Sequence, residues 1–257
     1  WNMALDEAIL LSIGRGESPA TLRLFAWDPP CLSLGYAQPF ADIDIGAITA
    51  RGWGVVRRPT GGRAILHTDE ITYSVIASNQ EPRLAGSIVE SYRRLSRALL
   101  EVLRLLEIQA NADKEYDLPE QVDKRGAVCF EVPSNYEITV DDKKILGSAQ
   151  ARRSEGILQH GSLPLFGDIS RITQVLIFPD ESKRNQVAQR VLERAVTIES
   201  ILQKSISWEE AAVAFEKAFE STLDLQFVHG DPTPQELQEA ERLVREKYAN
   251  SAWTNRI

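Results

Sequence analysis

The sequence predicts an α+β fold. Short alternating apolar stretches gather on either side of one long amphipathic stretch at 87–108, and the chain after residue 168 reads as helical. This element order, with hairpins expected at 63–77 and 136–151 and helices at 87–108 and after 168, agrees with an α+β arrangement. A length of 257 residues fits one large domain, or one with a small appendage.

Trp1 to Ile13 places Leu5, Ala8, Ile9 and Ile13 at helical spacing with Asp6 and Glu7 between them, predicting an amphipathic helix. Without a basic leading region this stretch does not read as a signal peptide, and since the chain does not open on Met, further residues are expected before it. Ala20–Trp27 alternates as a strand, Asp28-Pro29-Pro30 turns the chain, and Cys31–Tyr36 is a second strand with Cys31 in the core. Pro39–Arg51 reads as a helix stopped by Gly52-Trp53-Gly54. Val55–Arg58 is a short strand. Thr60-Gly61-Gly62 is a loop where backbone turns sharply or approaches a ligand. Arg63–His67 and Ile71–Ala77 are expected to form a hairpin through Thr68-Asp69-Glu70. Arg57, Arg58, Arg63 and His67 beside two glycines suggest a cradle for an anion or a carbonyl; a glycine turn with solvated arginines reads the same way.

Ser87 and Glu90 compose a capping box ahead of Ile88, Tyr92, Leu95, Leu99, Val102 and Leu106, one buried helical face. Asp113–Arg125 is polar and reads as a surface loop. Cys129 then stands in an apolar setting before a Pro-Ser turn. Tyr136–Val140 and Lys144–Ala151 read as strands joined at Asp141-Asp142-Lys143, and this spacing leaves open whether Lys144 returns toward Cys129. Gly156–Leu165 is a further strand, broken at Gly161 and carrying His160. Ser182–Val196 carries Lys183, Arg184, Arg190 and Arg194, a solvated face or a dock for an acidic partner. Helices are expected to start at Ser207 and Thr233.

A net charge of −8 argues against a general nucleic-acid binder. Two distant cysteines fit reduced thiols in a cytoplasmic protein. Three histidines and no Cys-x-x-Cys pair do not make a zinc site, so no metal is expected. No apolar run approaches the ~20 residues that span a bilayer, so no membrane partner is expected. Neither a P-loop nor a dinucleotide fingerprint is present, and no cofactor is expected. The chemistry is expected to turn on Cys129. A thiol takes an acyl group from a thioester at little free-energy cost, as the thiolate, and a free thiol titrates at about 8.5. Lys144 or a histidine nearby would lower that value. A cysteine beside Phe130 is equally the description of an inert core residue.

Taken together, several stretches resemble the biotin/lipoate protein ligase superfamily, in particular its cysteine-dependent octanoyltransferases. They are Arg57-Arg58-Pro59-Thr60-Gly61-Gly62-Arg63-Ala64 with His67 and Thr72-Tyr73-Ser74; Cys129-Phe130 with Pro133-Ser134 and Tyr136-Glu137-Ile138; Lys144 with Gly147-Ser148-Ala149-Gln150 and Arg152; and Leu158-Gln159-His160-Gly161-Ser162. The likeness covers residues 1 to about 170 in order. It implies a mixed, mostly antiparallel sheet flanked by helices over residues 1–181, with residues 182–257 as a helical extension packed on it. It implies transfer of an octanoyl group from acyl carrier protein, through a Cys129 thioester, to a lysine of a lipoyl domain, with the glycine-cleavage H protein as the expected acceptor. Lys144 would stabilise the oxyanion or lower the Cys129 pKa. Arg57, Arg58, Thr60, Gly61, Gly62, Arg63, His67, Gly147, Ser148 and His160 would bind substrate.

Three alternatives stand beside this reading. ATP-dependent lipoate ligases resemble the chain too, but usually carry a third glycine where Arg63 stands and His-Asp where His67-Thr68 stand. A lipoyl-domain amidotransferase also uses a cysteine. A non-catalytic binder of acyl-carrier or lipoyl domains would need neither Cys129 nor Lys144.

Overall fold

The structure, a computed structural model, describes residues 1–112 and 137–257. Cys129, the predicted loop Asp113–Arg125, the Pro133-Ser134 turn and Tyr136 lie outside the described residues.

Two sheets organise the fold. The larger contains β1 (Thr21–Phe25), β5 (Glu70–Ala77), β6 (Ile138–Val140), β7 (Lys143–Arg152) and β8 (Ile157–Pro164) in the order β1-β5-β8-β7-β6, with every neighbouring pair antiparallel. The smaller contains β2 (Cys31–Leu34), β3 (Gly54–Arg57) and β4 (Ile65–His67) in the order β3-β2-β4, with β2 parallel to β3 and antiparallel to β4. The expected α+β class and mixed, mostly antiparallel pairing are what is found.

Side-chain alternation along β5 separates two layers. Ile71, Tyr73 and Ala77 face α3 (Ile88–Leu105) and α6 (Trp208–Leu223), where Tyr73 meets Phe215 and Phe219. Ile76 faces the other way, into a cluster with α1 (Asn2–Gly14) and α7 (Pro234–Leu243). A third cluster joins the smaller sheet to α2 (Ile45–Ala50), the 3₁₀ turn Ile169–Val175 and α4 (Glu181–Arg194). The capping box at Ser87 is present, and Leu95, Leu99, Val102 and Leu103 are the buried face of α3.

Four local expectations are corrected. Arg63–His67 and Ile71–Ala77 form no hairpin. β4 pairs with β2, whereas β5 is bonded on both edges by β1 and β8, so the chain changes sheet at Thr68-Asp69. Pro39–Arg51 is not one helix: Asp44 caps α2 by accepting from Ala47 N, and only a 3₁₀ turn, Phe40–Asp42, precedes it. β8 runs unbroken through Gly161, which pairs with Tyr73 on one side and Ser148 on the other; glycine stands there for close approach, since a β-carbon would fall 2.5 Å from Tyr73 Cε1 and 2.7 Å from the Gly147 carbonyl. Finally, α1 is buried almost all round, between the sheet and α7. Its acids survive burial by pairing: Asp6 with Arg23, and Glu7 with Lys247, Arg153 and Tyr248.

Candidate active site

The face of the larger sheet opposite Tyr73 carries small polar residues in register. Thr72 stands opposite Ser162 and Ser74 opposite His160, while Gly147 and Ala149 on β7 stand opposite the same two β8 residues. The end of the smaller sheet brings Arg58, Gly61, Gly62, Ile65 and His67 against this face. Between them lies a narrow pocket, open to solvent at its mouth and also lined by Met3 and Trp27.

Most polar groups of its walls are bonded to one another, although His160 Nδ1 and the adjacent Asp6 Oδ2 make no hydrogen bond. His67 Nδ1 lies 2.6 Å from Glu70 Oε1, and its Nε2 lies 2.7 Å from Ser33 Oγ. Arg58 donates to the same Ser33 hydroxyl at 2.6 Å, and to the carbonyls of Ser33, Gly61 and Arg63, so it holds the glycine loop from behind. Glu70 also accepts from the Thr72 and Ser162 hydroxyls. Trp27 stacks on His67 at 4.3 Å and donates to Thr72 Oγ1. Burial pushes the Glu70 carboxyl up, but His67 and the two hydroxyls outweigh it and leave it below the usual carboxylate range.

A second line crosses the site. Asp6 accepts from Arg23 and from Ser74 Oγ, and its Oδ2 stands 3.9 Å from His160 Nδ1. His160 Nε2 meets the Thr60 hydroxyl at 2.6 Å. Burial is the larger influence on His160 and holds it below the ordinary imidazole value, despite Asp6. Burial is the largest single influence on Asp6 and opposes its ionisation, but Arg23, His160 and Ser74 together outweigh it and keep its carboxyl below its usual value.

Lys144 is buried on β7, its ammonium 2.7 Å from Glu137 Oε1. A β-bulge between the Ile138–Leu146 and Thr139–Lys144 pairs gives β7 one extra residue there, and such bulges re-aim side chains. The ammonium lies beside the Gly147 wall: a β-carbon on Gly147 would sit 3.7 Å from Nζ. The hairpin turn Asp141-Asp142 has both residues at positive φ.

The structure thus gathers Arg58, Gly61, Gly62, His67, Gly147, Ser148 and His160 around one pocket, with Thr60 and Lys144 directly behind its wall. Arg57 does not line it. Adjacent strand residues face opposite ways, and the fully buried Arg57 guanidinium donates to the carbonyls of Gly35, Tyr36, Gln38 and Thr254. Arg63 is half-buried, bonded to Arg58 through its carbonyl, and is not among the wall residues. Cys31 is buried and its thiol is pushed up to about 12, which makes it a core residue. Asp6, Glu70, Met3 and Trp27 are given no role at the site by the sequence, and Thr72 and Ser162 enter only through the resemblance, without a site role. Thr72-x-Ser74 inside an apolar central strand, and two acids inside an apolar helix, are the signals that point to them. Among the described residues, no cluster of His, Cys, Asp and Glu is placed to hold a metal ion, and no helix is long and apolar enough to cross a membrane.

The model of the lipoyl protein ligase A/B catalytic domain matches residues 1–220. The chain belongs to that family. It is 41% identical to Octanoyltransferase LipM of Kyrpidia tusciae over the whole of this chain and 94% of the relative. It is 39% identical to Octanoyltransferase LipM of Brevibacillus brevis, over 99% of this chain and 94% of the relative. Among solved structures, a lipoate-protein ligase A bound with ATP superposes with a TM-score of 0.78 at 26% identity, covering 98% of this chain and 92% of the other. A bipartite lipoate protein ligase from Thermoplasma acidophilum superposes at 0.79, covering 99% and 90%; at 24% identity it shows the shared fold.

Proposed function

We propose that this chain is an octanoyltransferase of lipoate biosynthesis. It takes an octanoyl group from acyl carrier protein and delivers it to a lysine of a lipoyl domain, with the glycine-cleavage H protein as acceptor. In the first step the Cys129 thiolate attacks the donor thioester carbonyl; a new C–S bond forms, and the carrier thiol leaves with a proton. In the second the acceptor amine attacks; the C–N bond forms, the Cys129 C–S bond breaks, and the amine's proton returns to the thiolate. The amide is more stable than either thioester, so the second step draws the first, and no nucleotide is consumed. The carrier and acceptor place the enzyme in the cytoplasm.

What carries this reading is the Lys144 ammonium, fixed by Glu137 beside the Gly147 end of the pocket. A fixed cation in a water-poor wall stabilises the oxyanion of a tetrahedral intermediate. Relatives carrying the name octanoyltransferase over the whole chain support the same assignment. Arg58, Gly61, Gly62, His67, Ser148 and His160 would shape the acyl site, while Arg57 would act from behind it, by holding the Gly35–Gln38 backbone.

The test is transfer from octanoyl carrier protein to a lipoyl domain without ATP, which the wild type performs and Cys129→Ser does not. Likeness to an ATP-bound ligase favours a second reading, ATP-dependent lipoate ligation. Pyrophosphate release with lipoate and ATP, without transfer from the carrier, would establish that reading instead.

A further inference from the structure

The pocket has a direction. Gly147, Ser162, Thr72 and Phe25 stand opposite one another on β7, β8, β5 and β1, a single row across the larger sheet. The first three line the pocket. On the fourth strand the row is closed from above by α1. Asp6 anchors that helix to Ser74 and Arg23, and Met3, one turn earlier on the same side, packs in one cluster with Phe25 while its side chain forms part of the pocket wall. Exposure differs around the pocket: Gly61 and Gly62 are exposed and Ser148 and Ala149, beside the buried Gly147, are half-buried, whereas Thr72, Ser162 and Met3 are 3%, 1% and 1% exposed.

We propose that Met3 is the end stop that sets the length of the acyl chain. This rests on the octanoyl reading above. From β7 to β5 is two interstrand spacings, about 10 Å. A staggered eight-carbon acyl chain is about 9 Å from carbonyl carbon to methyl, so it fills the row from Gly147 to Thr72 and ends against Met3. Two more carbons add about 2.5 Å and run into the Met3 side chain. The polar residues along the way do not oppose an alkyl chain. The hydroxyls of Thr72 and Ser162 are both spent on Glu70, and Trp27 donates to Thr72, so no donor there needs the ligand. The chain's single methionine supplies an adaptable, unbranched stop.

The experiment compares Met3→Ala with the wild type on octanoyl-, decanoyl- and dodecanoyl-carrier protein, and by calorimetric binding of octanoate and decanoate. One methylene in a fitted apolar pocket is worth about tenfold or more, so the wild type prefers octanoyl over decanoyl by at least about tenfold. Met3→Ala raises the decanoyl-to-octanoyl ratio by about tenfold or more and gains decanoate binding. A gain on the longer substrate cannot come from misfolding. Met3→Val, a smaller truncation, shifts the ratio in the same direction and serves if the alanine variant folds poorly. An unchanged ratio in folded variants, or a wild type that takes decanoyl and octanoyl equally, overturns the proposal. Octanoate binding without any transfer by the wild type would overturn the transferase reading and leave the end stop standing. Binding of neither acid by the wild type overturns the end stop.

Discussion

Lys144 and Glu137 form a buried ion pair whose members cannot be removed singly without a second consequence. Truncating one leaves the other as an uncompensated buried charge, at a cost of about 3–5 kcal/mol. The double variant Lys144→Met/Glu137→Gln avoids that cost. It is expected to keep its melting transition while turnover falls about 100-fold or more, the size of a lost oxyanion partner; steady-state kinetics beside a thermal scan check both halves. His160 makes a separate prediction. Asp6, Arg58 and His67 face it, and burial holds its pKa below the ordinary 6.5. The unfolded chain therefore binds a proton below that pH that the folded chain refuses. Stability is full above the unfolded value and falls as pH drops below it, by up to about 1.4 kcal/mol per pH unit. Asp6 and Glu70 have depressed folded values, so their contribution persists to lower pH and is lost only as pH falls from the unfolded carboxylate range, about 4, through those values. The melting temperature is expected to decline on acidification from about pH 6.5, with His160→Gln flattening the upper part of the decline. A wild-type melting temperature constant between about pH 7 and 5 would contradict this.

At the scale of elements, β8 is the strand on which the site depends, because it pairs with both β5 and β7 and carries His160 and Ser162. Gly161→Ala would press a methyl group onto Tyr73 and the Gly147 carbonyl, neither free to withdraw. It is expected to cost about 1–3 kcal/mol in urea denaturation; a change near zero would show the sheet to be looser than described. The strands themselves were legible from alternation, and Gly61, Gly62 and His160, expected to bind substrate, line the pocket. The pairing of β4 was not. Thr68-Asp69-Glu70 has the composition of a hairpin turn, yet both edges of β5 are taken by longer partners, and such competition is invisible locally. The direction of Arg57 was legible in principle, since two neighbouring strand arginines cannot both face one pocket. Met3 was hidden in what looked like an ordinary amphipathic helix, since only the packing of α7 over α1 reveals that nearly every side of it is covered.

For the whole molecule, we propose that residues 182–257 form a helical extension on a catalytic unit of residues 1–181, joined so closely that neither is stable alone. Phe215 and Phe219 of α6 share a core with Tyr73, and Thr254 accepts two bonds from Arg57. A chain ending at residue 181 is expected to show no cooperative melting transition; a cooperative one would contradict the dependence. The extension is thus a structural partner of the site rather than a surface ornament, since it covers both Tyr73 behind the pocket and the backbone that Arg57 holds. The central claim concerns a covalent passenger on Cys129. Intact-protein mass spectrometry after incubation with octanoyl carrier protein, in the absence of any acceptor, tests it most directly. One octanoyl group is expected on the wild type and none on Cys129→Ser. An unmodified wild type, together with a Cys129→Ser variant that still completes transfer, would contradict it.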